Sequence, residues 1–477
     1  MPTIYLSYDK GGIIMRNTQD KLSEAIYRKY IEPTKRPRKH TIGIEIEMPV
    51  VDLSRKPADP DTSIEVSKSF MSRFGFEPAG KDSDGNINSM SDKATGDNLS
   101  FDCSYSNLEL SMGVGSDLFE IKSRFEKYYS FLSSELSRKN CMLTGMGVNP
   151  YSGLDRSKPV PNERYRMLWH YLHSYKKHAG EVEMQFHDRP DFGTFTSASQ
   201  VQLDVDYDSL IDVINTFGLL EPYKPLIFAN SVLPEFPELL CVRNMLWERS
   251  MQGYNPHNIG MFADRLGSVD ELVEYIRSQS VYCTVRDGKY IDFTPVPVGE
   301  YFSRSEITGE YYTEDGYKSI TFAPEPDDLQ YLRTFKFEDL TFRGTIEYRS
   351  TCCQPISDVM TVAAFHAGLN NRLQELGELL ENDTVIYSHG YSATELQKML
   401  SKRELPQFID KKAVSRQLIR ILDIASDGLK ERGLGEESLL EPLYARAEGL
   451  QSPARKMAEG MENGLSIEHF IEEYAQI

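Results

Sequence analysis

The sequence predicts an α+β fold, in which a mainly antiparallel sheet is followed by a helical C-terminal region. Stretches rich in strand-forming residues alternate with helical stretches across residues 41–350, and apolar residues recur at helical spacing from Ile356 onward. Four segments also alternate apolar and polar residues with a period of two, as strands with one buried face do. We therefore expect an α+β catalytic domain over 1–355, which begins with a helix that approaches the sheet, and a helical region over 356–477 packed on it.

Helical periodicity and turn residues set the predicted bounds of the helices. Apolar spacing predicts helices at residues 17–32, 117–139, 179–184, 207–220, 269–278 and 411–432. Gly433 is the predicted cap that ends the last of them. Residues 281–330 are rich in Tyr, Thr, Pro, Asp and Gly, so we expect loop with short strands, of the kind that often forms a functional lid.

The acidic balance of the chain narrows its possible partners. The 477 residues include 72 Asp and Glu against 53 Lys and Arg, which gives a formal charge of −19. Nucleic acids and anionic membrane surfaces are bound mainly by Lys and Arg, so neither is an expected partner. No apolar run approaches the ~20 residues of a transmembrane helix, and residues 1–12 lack the apolar core of a secretory signal peptide. We therefore expect a cytoplasmic protein.

Cysteines, histidines and glycines show none of the short patterns that mark common cofactor sites. The six cysteines include no C-x-x-C pair, so we expect reduced thiols. Cys352 and Cys353 are interpreted as small buried residues rather than as a reactive pair. The histidines lack H-E-x-x-H or another zinc spacing, and the chain has neither G-x-x-x-x-G-K-S/T nor G-x-G-x-x-G. A zinc site, a P-loop and a dinucleotide fold are therefore not expected.

Four segments place acids and amides on one strand face, because residues two apart in a strand share a face. The segments are Thr41–Met48, Asn107–Met112, Gln200–Asp206 and Arg343–Arg349. Their polar faces hold, in turn, Glu45 and Glu47; Glu109; Gln200, Gln202, Asp204 and Asp206; and Arg343, Thr345, Glu347 and Arg349. A sheet with one solvated face shows the same alternation, so each strand alone is also compatible with an ordinary surface.

Taken together, the four polar faces favour a binding site over a solvated surface. Glu is a poor strand former, and glutamates on one strand face repel each other unless a cation lies between them. Mg²⁺ takes oxygen ligands from carboxylates, amides, waters and phosphates, and an arginine such as Arg349 stabilises charge on a transferring phosphoryl group. If the four strands lie side by side, which their spacing does not decide, they form a site for metal-assisted phosphoryl transfer.

The same segments carry a resemblance to a known family. The matching segments, in the family's order, are Gly43–Glu47 (G-x-E-x-E), Asn107–Ser111 (F-E-L-S, with Leu108 for Phe), Arg164-Tyr165 with Tyr171 (R-Y-x-x-M-x-x-Y), Gln200–Asp204 (Q-V-N-L-D), Phe228–Ser231 (F-A-N-S), Arg243 with Trp247 (R-S-x-x-W) and Glu347–Arg349 (E-x-R). This ordered set resembles the glutamate–cysteine ligases of the plant and alphaproteobacterial type, and the resemblance covers nearly the whole chain.

The resemblance implies a fold similar to the glutamine synthetase/guanidino kinase type, in which a curved, mainly antiparallel sheet forms a funnel with helices outside it. It implies ATP-dependent joining of the glutamate γ-carboxylate to cysteine through γ-glutamyl phosphate, the first step of glutathione biosynthesis, with Mg²⁺ as the metal. The implied roles are catalysis by Glu347 and Arg349, Mg²⁺ binding by Glu45, Glu47, Glu109 and Glu347, ATP binding by Gln200, Gln202 and Arg343, and substrate binding by Arg164, Arg243 and Trp247.

Three departures from the family pattern leave the amine substrate open. Gln202 stands where the family has Asn, residues 350–355 differ from the plant pattern, and residues 281–330 do not align. A carboxylate–amine ligase of the same family that acts on another amino acid or amine is therefore the alternative. A nucleotide-binding regulator without turnover is a further hypothesis, which the retained acids disfavour. The expected oligomeric state is a monomer or a homodimer.

Overall fold

A nine-stranded sheet organises the part of the chain that the computed structural model describes, namely residues 21–56, 58–152 and 158–477. Its order is β14-β15-β7-β1-β5-β4-β3-β2, with β6 paired to β1, and all of these pairs are antiparallel. The strands within the described ranges are β1 (Ile42–Asp52), β2 (Glu77–Lys81), β3 (Ile87–Ser91), β4 (Asn98–Phe101), β5 (Asn107–Gly115), β6 (Cys141–Leu143), β7 (Ser199–Asp204), β8 (Ile259–Gly260), β9 (Ser280–Arg286), β10 (Lys289–Pro297), β11 (Ile307–Thr313), β12 (Gly316–Phe322), β13 (Phe335–Lys336), β14 (Glu338–Leu340) and β15 (Thr345–Tyr348).

Helices cover one face of this sheet, and many of them belong to the C-terminal part of the chain. Residues 21–35 form a helical segment that includes a π-helical turn, Tyr27–Ile31, and a 3₁₀ turn, Glu32–Lys35. The α-helices are α1 (Pro60–Phe74), α2 (Leu118–Ser137), α3 (Glu163–His173), α4 (Leu210–Leu220), α5 (Lys224–Phe228), α6 (Val242–Glu248), α7 (Val269–Ser278), α8 (Val298–Tyr301), α9 (Met360–Asn371), α10 (Leu373–Glu381), α11 (Ala393–Leu400), α12 (Lys411–Arg432), α13 (Glu441–Gly449), α14 (Pro453–Glu462) and α15 (Ile467–Glu473). Among the described residues, no helix is both long and apolar enough to cross a membrane.

Strand β1 is central because it pairs with three others, β5, β6 and β7. Its apolar residues Ile42, Ile44, Ile46 and Met48 are at most 2% exposed. Helix α2 packs on β5, and α9 packs on β1 and β7, so helices occupy the apolar side of these strands. The opposite side of the sheet is left for the polar residues. The α+β class with an antiparallel sheet is thereby confirmed, whereas the funnel shape stays a prediction.

Helices α9 and α12 of the C-terminal region cross in close contact at two glycines. At Gly368 of α9, an added Cβ would lie 2.2 Å from the carbonyl oxygen of Ala425, and at Gly428 of α12 it would lie 2.0 Å from that of Gly368. The backbones of α9 and α12 therefore touch, which only glycine at both positions permits. The observed bounds of α12 agree with the predicted helix, and Gly433 ends it with a left-handed φ of 72°. A domain boundary at 355 stays a prediction.

The prediction of loop with short strands over residues 281–330 is wrong for most of that segment. It contributes β9, β10, β11 and β12, which pair in sequence as a four-stranded antiparallel sheet. Tyr and Thr are good strand formers, so the composition fits strands better than loops. Asp287 and Gly288, with φ of 51° and 75°, form the turn between β9 and β10, and an Asp-Gly pair between two apolar runs is a strong hairpin signal.

Other local predictions also differ from the structure, because one predicted helix is absent and several observed elements were not predicted. The weak helix predicted at 179–184 is wrong, because the segment forms turns and bends, with Gly180 at a φ of +90°. Helix α1 and strands β2, β3 and β4 were not predicted. The N-terminal helix is confirmed from residue 21 onward, and residues 17–20 of that prediction lie outside the described residues.

Candidate active site

The four acid-bearing strands lie side by side in the order β15-β7-β1-β5. The sequence left this adjacency undecided. Their register brings the polar side chains together in directly opposed pairs. The pairs are Glu347 with Gln202, Gln200 with Glu45, and Glu47 with Glu109. The polar faces therefore form one continuous surface across the sheet, which we call the acid row.

Two glutamine amides hold the carboxylates of the acid row apart. Gln202 Nε2 donates to Glu45 Oε1 at 3.0 Å and to Glu347 Oε1 at 2.9 Å. Gln200 Nε2 donates to Glu47 Oε1 at 3.0 Å and, more weakly, to Glu45 Oε2 at 3.4 Å. Gln202 thus bridges acids on two different strands, whereas Gln200 bridges the two acids of β1. The extra methylene of Gln202, relative to the family's Asn, lets one amide group reach both neighbouring strands.

Burial and mutual repulsion make full ionisation of the acid row unfavourable. Burial, followed by the charges of Glu347 and Glu109, raises the pKa of Glu45 to about 8. Burial and the neighbouring Asp102 raise the pKa of Glu109 to about 7, and the same two causes raise the pKa of Glu47 well above its usual range. A row of this kind ionises fully when a cation compensates its charge.

The predicted Mg²⁺ ligands share the acid row but do not form a closed cage. Among the described residues, no three His, Cys, Asp or Glu side chains converge closely enough to hold a metal ion by themselves. Mg²⁺ commonly takes only one or two carboxylates and completes its shell with waters and substrate phosphates. The donor set of the row, carboxylate and amide oxygens, fits this open kind of site, so these residues fit Mg²⁺ bound together with a phosphate-bearing substrate.

Arg349 is held at one end of the acid row by two carboxylates. Its Nη1 lies 3.5 Å from Glu347 Oε2 and 3.4 Å from Asp339 Oδ2. Thr334 Oγ1 donates to both oxygens of Asp339, at 2.9 and 2.8 Å, which fixes that carboxylate. The backbone oxygen of Arg349 accepts a hydrogen bond from Arg243 Nη1 at 2.9 Å. The predicted catalytic arginine and one predicted substrate-binding arginine are therefore in direct contact.

A cleft of about 700 Å³ opens over the acid row. It is lined by all of the predicted site residues except Gln202, whose amide lies between two that do line it. At one end are Arg164, Arg243 and Trp247, with Tyr282 and Tyr290. The structure thus brings every predicted site residue to one place, while the role of each stays a prediction.

Buried donors without partners lie at that end of the cleft. The side chain of Trp247 stacks on Phe335 with ring centroids 4.2 Å apart. Trp247 Nε1 and Arg243 Nε are both buried and, among the described residues, have no hydrogen-bond acceptor. Buried donors of this kind carry a free-energy cost when they have no acceptor.

Asp102 and Asp339 line the cleft as well, and sequence reasoning missed them. Asp102 accepts a hydrogen bond from the hydroxyl of Tyr165 at 3.3 Å, and burial raises its pKa. Asp339 lies opposite Glu347 in the β14–β15 hairpin. Extending the strand of Glu347 back through the glycine turn at Gly344 would have placed Asp339 there. We see no comparable signal for Asp102.

Of the six cysteines, Cys103 lines the cleft, whereas Cys352 and Cys353 do not. All six are free and buried, so the interpretation of Cys352 and Cys353 as small buried residues is confirmed. Cys352 Sγ lies 3.6 Å from Cys241 Sγ and 3.3 Å from Ser231 Oγ. Cys353 packs in the main hydrophobic core.

Comparison with known proteins finds distant relatives that are chloroplastic glutamate–cysteine ligases. The chain is 23% identical over 346 residues to the chloroplastic glutamate–cysteine ligase of Solanum lycopersicum, covering 69% of this chain and 60% of that protein. The chloroplastic glutamate–cysteine ligase of Arabidopsis thaliana is 24% identical over 353 residues, with coverages of 69% and 60%. The chain therefore spans about 60% of the length of the curated relatives it matches.

Among solved structures, the chain is similar to the glutamate–cysteine ligase of Francisella tularensis in complex with AMP, with a TM-score of 0.47 and 11% identity, covering 92% of this chain and 88% of that one. A bifunctional glutathione synthetase from Pasteurella multocida gives a TM-score of 0.44 and 12% identity, covering 97% and 52%. The family model for glutamate–cysteine ligase family 2 (GCS2) matches residues 41–473. Because that match includes most of the chain and every residue of the acid row, the protein belongs to glutamate–cysteine ligase family 2.

Proposed function

We propose that the protein is an ATP- and Mg²⁺-dependent ligase that joins the γ-carboxylate of glutamate to the amino group of cysteine, the first step of glutathione biosynthesis. The observation that carries this proposal is the acid row, a set of buried carboxylates with raised pKa values at one end of which Arg349 is fixed. Family membership supports the same reaction. Cytoplasmic location and a monomeric or homodimeric state remain part of the proposal.

The reaction needs an activated carboxylate, because a carboxylate and an amine do not condense readily in water. An oxygen of the glutamate γ-carboxylate attacks the γ-phosphorus of ATP, and the bond from that phosphorus to the bridging oxygen breaks to release ADP. The amine then attacks the carbonyl carbon of the γ-glutamyl phosphate, phosphate leaves, and the nitrogen loses a proton. Bound Mg²⁺ supplies charge neutralisation on the phosphates.

The residues of the chain have separate tasks in this scheme. Arg349 stabilises the charge that develops on the transferred phosphoryl group, and Asp339 and Glu347 hold its guanidinium in position. Glu347 shares with Glu45 the amide of Gln202. These residues face the phosphates and the metal, together with the other members of the acid row.

The amino-acid substrates are assigned to the part of the cleft that adjoins Arg349 and is lined by Arg243 and Trp247. Arg164 lines the cleft and contacts no carboxylate within ion-pair distance among the described residues. The buried donors of Arg243 and Trp247 also lack acceptors there. Substrate carboxylates supply the acceptors that these three side chains need.

The test is release of ADP from ATP and Mg²⁺ in the presence of glutamate, first with cysteine and then with a panel of other amino acids and amines. We expect strong stimulation by cysteine and a product with the mass of γ-glutamylcysteine. If only a different amine stimulated ADP release, the proposed activation of glutamate would stand, and that amine would replace cysteine as the proposed substrate. Absence of ADP release with every amine would contradict the proposal and favour a regulator that binds nucleotide without turnover.

A further inference from the structure

A half-exposed aromatic ring stands at the rim of the cleft, at the end away from Trp247. Phe342 lies in the turn between β14 and β15 and is 50% exposed, although it lines the cleft. Tyr30, Leu332 and Leu340 line the same part of the protein surface around the cleft. A ring that is half exposed in the wall of a cleft is accessible for contact with a ligand.

The turn that carries Phe342 is held rigidly. Gly344 has a φ of +78°, and an added Cβ there would lie 1.9 Å from Arg38 Nη2. Arg38 donates to the backbone oxygen of Arg343 at 3.2 Å and lies 3.7 Å from Asp204. Because the N-terminal segment clamps the turn in this way, the ring of Phe342 is presented in a fixed position, which lowers the entropic cost of binding to it.

Two cations lie near this ring and a third lines the cleft, and all three lack acidic partners among the described residues. Lys29 Nζ lies 5.4 Å from the centroid of Phe342, and the guanidinium carbon of Arg343 lies 5.9 Å from it. Arg333 lines the same end of the cleft. Within the part of the chain that the structure describes, none of the three contacts a carboxylate at ion-pair distance. In a protein of charge −19, the unpaired cations Arg333 and Arg343 in the cleft, with Lys29 beside the ring, indicate an anionic ligand.

A continuous path of contacts joins the aromatic ring to the acid row. Arg343, which follows Phe342, donates from Nη2 to Gln202 Oε1 at 2.7 Å. Gln202 in turn bridges Glu45 and Glu347. A ligand whose phosphates lie at Arg343 and the acid row therefore has its non-phosphate end beside Phe342.

We infer that Phe342 is the stacking platform for the base of ATP, and that Lys29, Arg333 and Arg343 attract the phosphates that lie beyond it. This inference rests on the proposed function and goes beyond it by dividing the cleft into a nucleotide end and an amino-acid end. Every base has a π-face, so the platform provides affinity, and alanine substitution of such a platform weakens binding by about fivefold to 100-fold.

The first experiment measures binding of the Mg²⁺ complex of a non-hydrolysable ATP analogue by isothermal titration calorimetry. Phe342→Ala is expected to raise the Kd by about tenfold or more, whereas Phe342→Tyr, which keeps the ring, binds as the wild type does. Phe119→Ala is the matched control, because Phe119 on α2 is also a partly exposed phenylalanine, 38% exposed, and does not line the cleft.

A second probe, inorganic tripolyphosphate with Mg²⁺, carries phosphates but no base. Phe342→Ala is expected to leave its Kd unchanged, while Arg343→Ala raises it. If Phe342→Ala lost affinity for both probes equally, the substitution would have distorted the turn as a whole, and the stacking role would be overturned. Wild-type affinity of Phe342→Ala for the ATP analogue would overturn the inference and leave the proposed function intact. A wild-type protein that binds no ATP analogue would instead overturn the proposed function and the inference together.

Discussion

The β14–β15 hairpin contributes neighbouring residues to two buried acid clusters, one of which lines the cleft while the other lies in the protein interior. On one face, Asp339 and Glu347 line the cleft and share Arg349. On the other face, Glu338 and Tyr348 point into the protein, and both are 0% exposed. Alternation along two short strands thus separates the two clusters by the thickness of one sheet.

The rear cluster is closed to solvent and to ligands. Glu221 accepts hydrogen bonds from the Lys224 ammonium and from Ser350 Oγ, the latter at 3.0 Å. Burial and the charge of Glu221 raise the pKa of Glu338 well above its usual range. Burial and the nearby Lys224 lower the pKa of His366 well below its usual range. The ammonium group of Lys224, paired with Glu221, supplies positive charge to this cluster.

The comparison of the two clusters shows that buried charge alone does not identify a functional site. Both clusters contain carboxylates with raised pKa values, so perturbed ionisation does not distinguish a site from a structural network. The front cluster differs because it opens into a cleft of about 700 Å³, whereas the residues of the rear cluster are buried inside the protein. Substitutions in the front cluster should therefore affect turnover, and those in the rear cluster should affect stability.

The largest effect is expected from Glu347→Gln and from Arg349→Ala, each of which should lower kcat by about 1,000-fold or more. Arg349 stabilises charge on the transferred phosphoryl group, and such arginines contribute about 10³ to 10⁵ in rate. Circular dichroism should show an intact fold. Glu300→Gln and Arg304→Ala are the matched controls, because that exposed pair lies outside the cleft. Wild-type turnover in either cleft variant would remove the site assignment.

Lys224→Met is expected to lower the free energy of unfolding by about 3–5 kcal/mol, because it leaves Glu221 buried without its cation. Urea denaturation measures the loss, and the folded fraction should keep its turnover number. The double variant Glu221→Gln with Lys224→Met removes both charges and should recover part of the stability. A Lys224→Met protein as stable as the wild type would show that the pair is not needed for folding.

Asp339→Asn is expected to lower kcat by about tenfold to 100-fold, since it weakens the hold on Arg349 while keeping the side-chain volume and the hydrogen bond from Thr334. The physical reason is loss of preorganisation at the phosphoryl group. Steady-state kinetics with ATP varied provides the measurement. Thr334→Val, which removes the bonds that fix Asp339, should lower kcat less. If Thr334→Val had the larger effect, the role assigned to Asp339 would be wrong.

The last expected effect concerns pH and the buried Lys336, which donates to the backbone oxygens of Ile259 and Met261 at 3.1 and 2.6 Å. Burial lowers the pKa of Lys336 to about 7, although the nearby Glu338 and Asp339 oppose this shift. The folded state therefore binds fewer protons than the unfolded state, whose lysine titrates near pH 10.5.

It follows that the contribution of Lys336 to the free energy of unfolding becomes more favourable as the pH rises from about 7 towards 10.5. Denaturation of the wild type and of Lys336→Met over this range measures the difference. The wild type should gain stability relative to Lys336→Met as the pH rises, and the exposed Lys430→Met should show no such change. Parallel pH profiles for the wild type and Lys336→Met would contradict the lowered pKa.

Long periodic elements were predictable because their signal is local. Val269–Ser278 and Lys411–Arg432 have the predicted bounds, and the alternation around Glu45 gave both the strand and its polar face. The sheet of residues 280–322 was not predicted, because its strands carry mixed polar residues and alternate less clearly. In the site, Asp102 escaped prediction because it lies in an irregular segment after β4, where no periodicity marks its direction.

By itself, the sequence determined the alternation of each acidic strand, the helical character of the C-terminal region and the family resemblance, since each depends on residues close along the chain or on their order. Only the tertiary structure decided that β15, β7, β1 and β5 are neighbours, that Gln202 bridges Glu45 and Glu347, and that Phe342 stands at the rim of the cleft among cations. Strand pairing joins residues as distant along the chain as Ile42 and Leu203, about 160 positions apart, and the partner of a strand is selected by the packing of the whole sheet rather than by its own pattern.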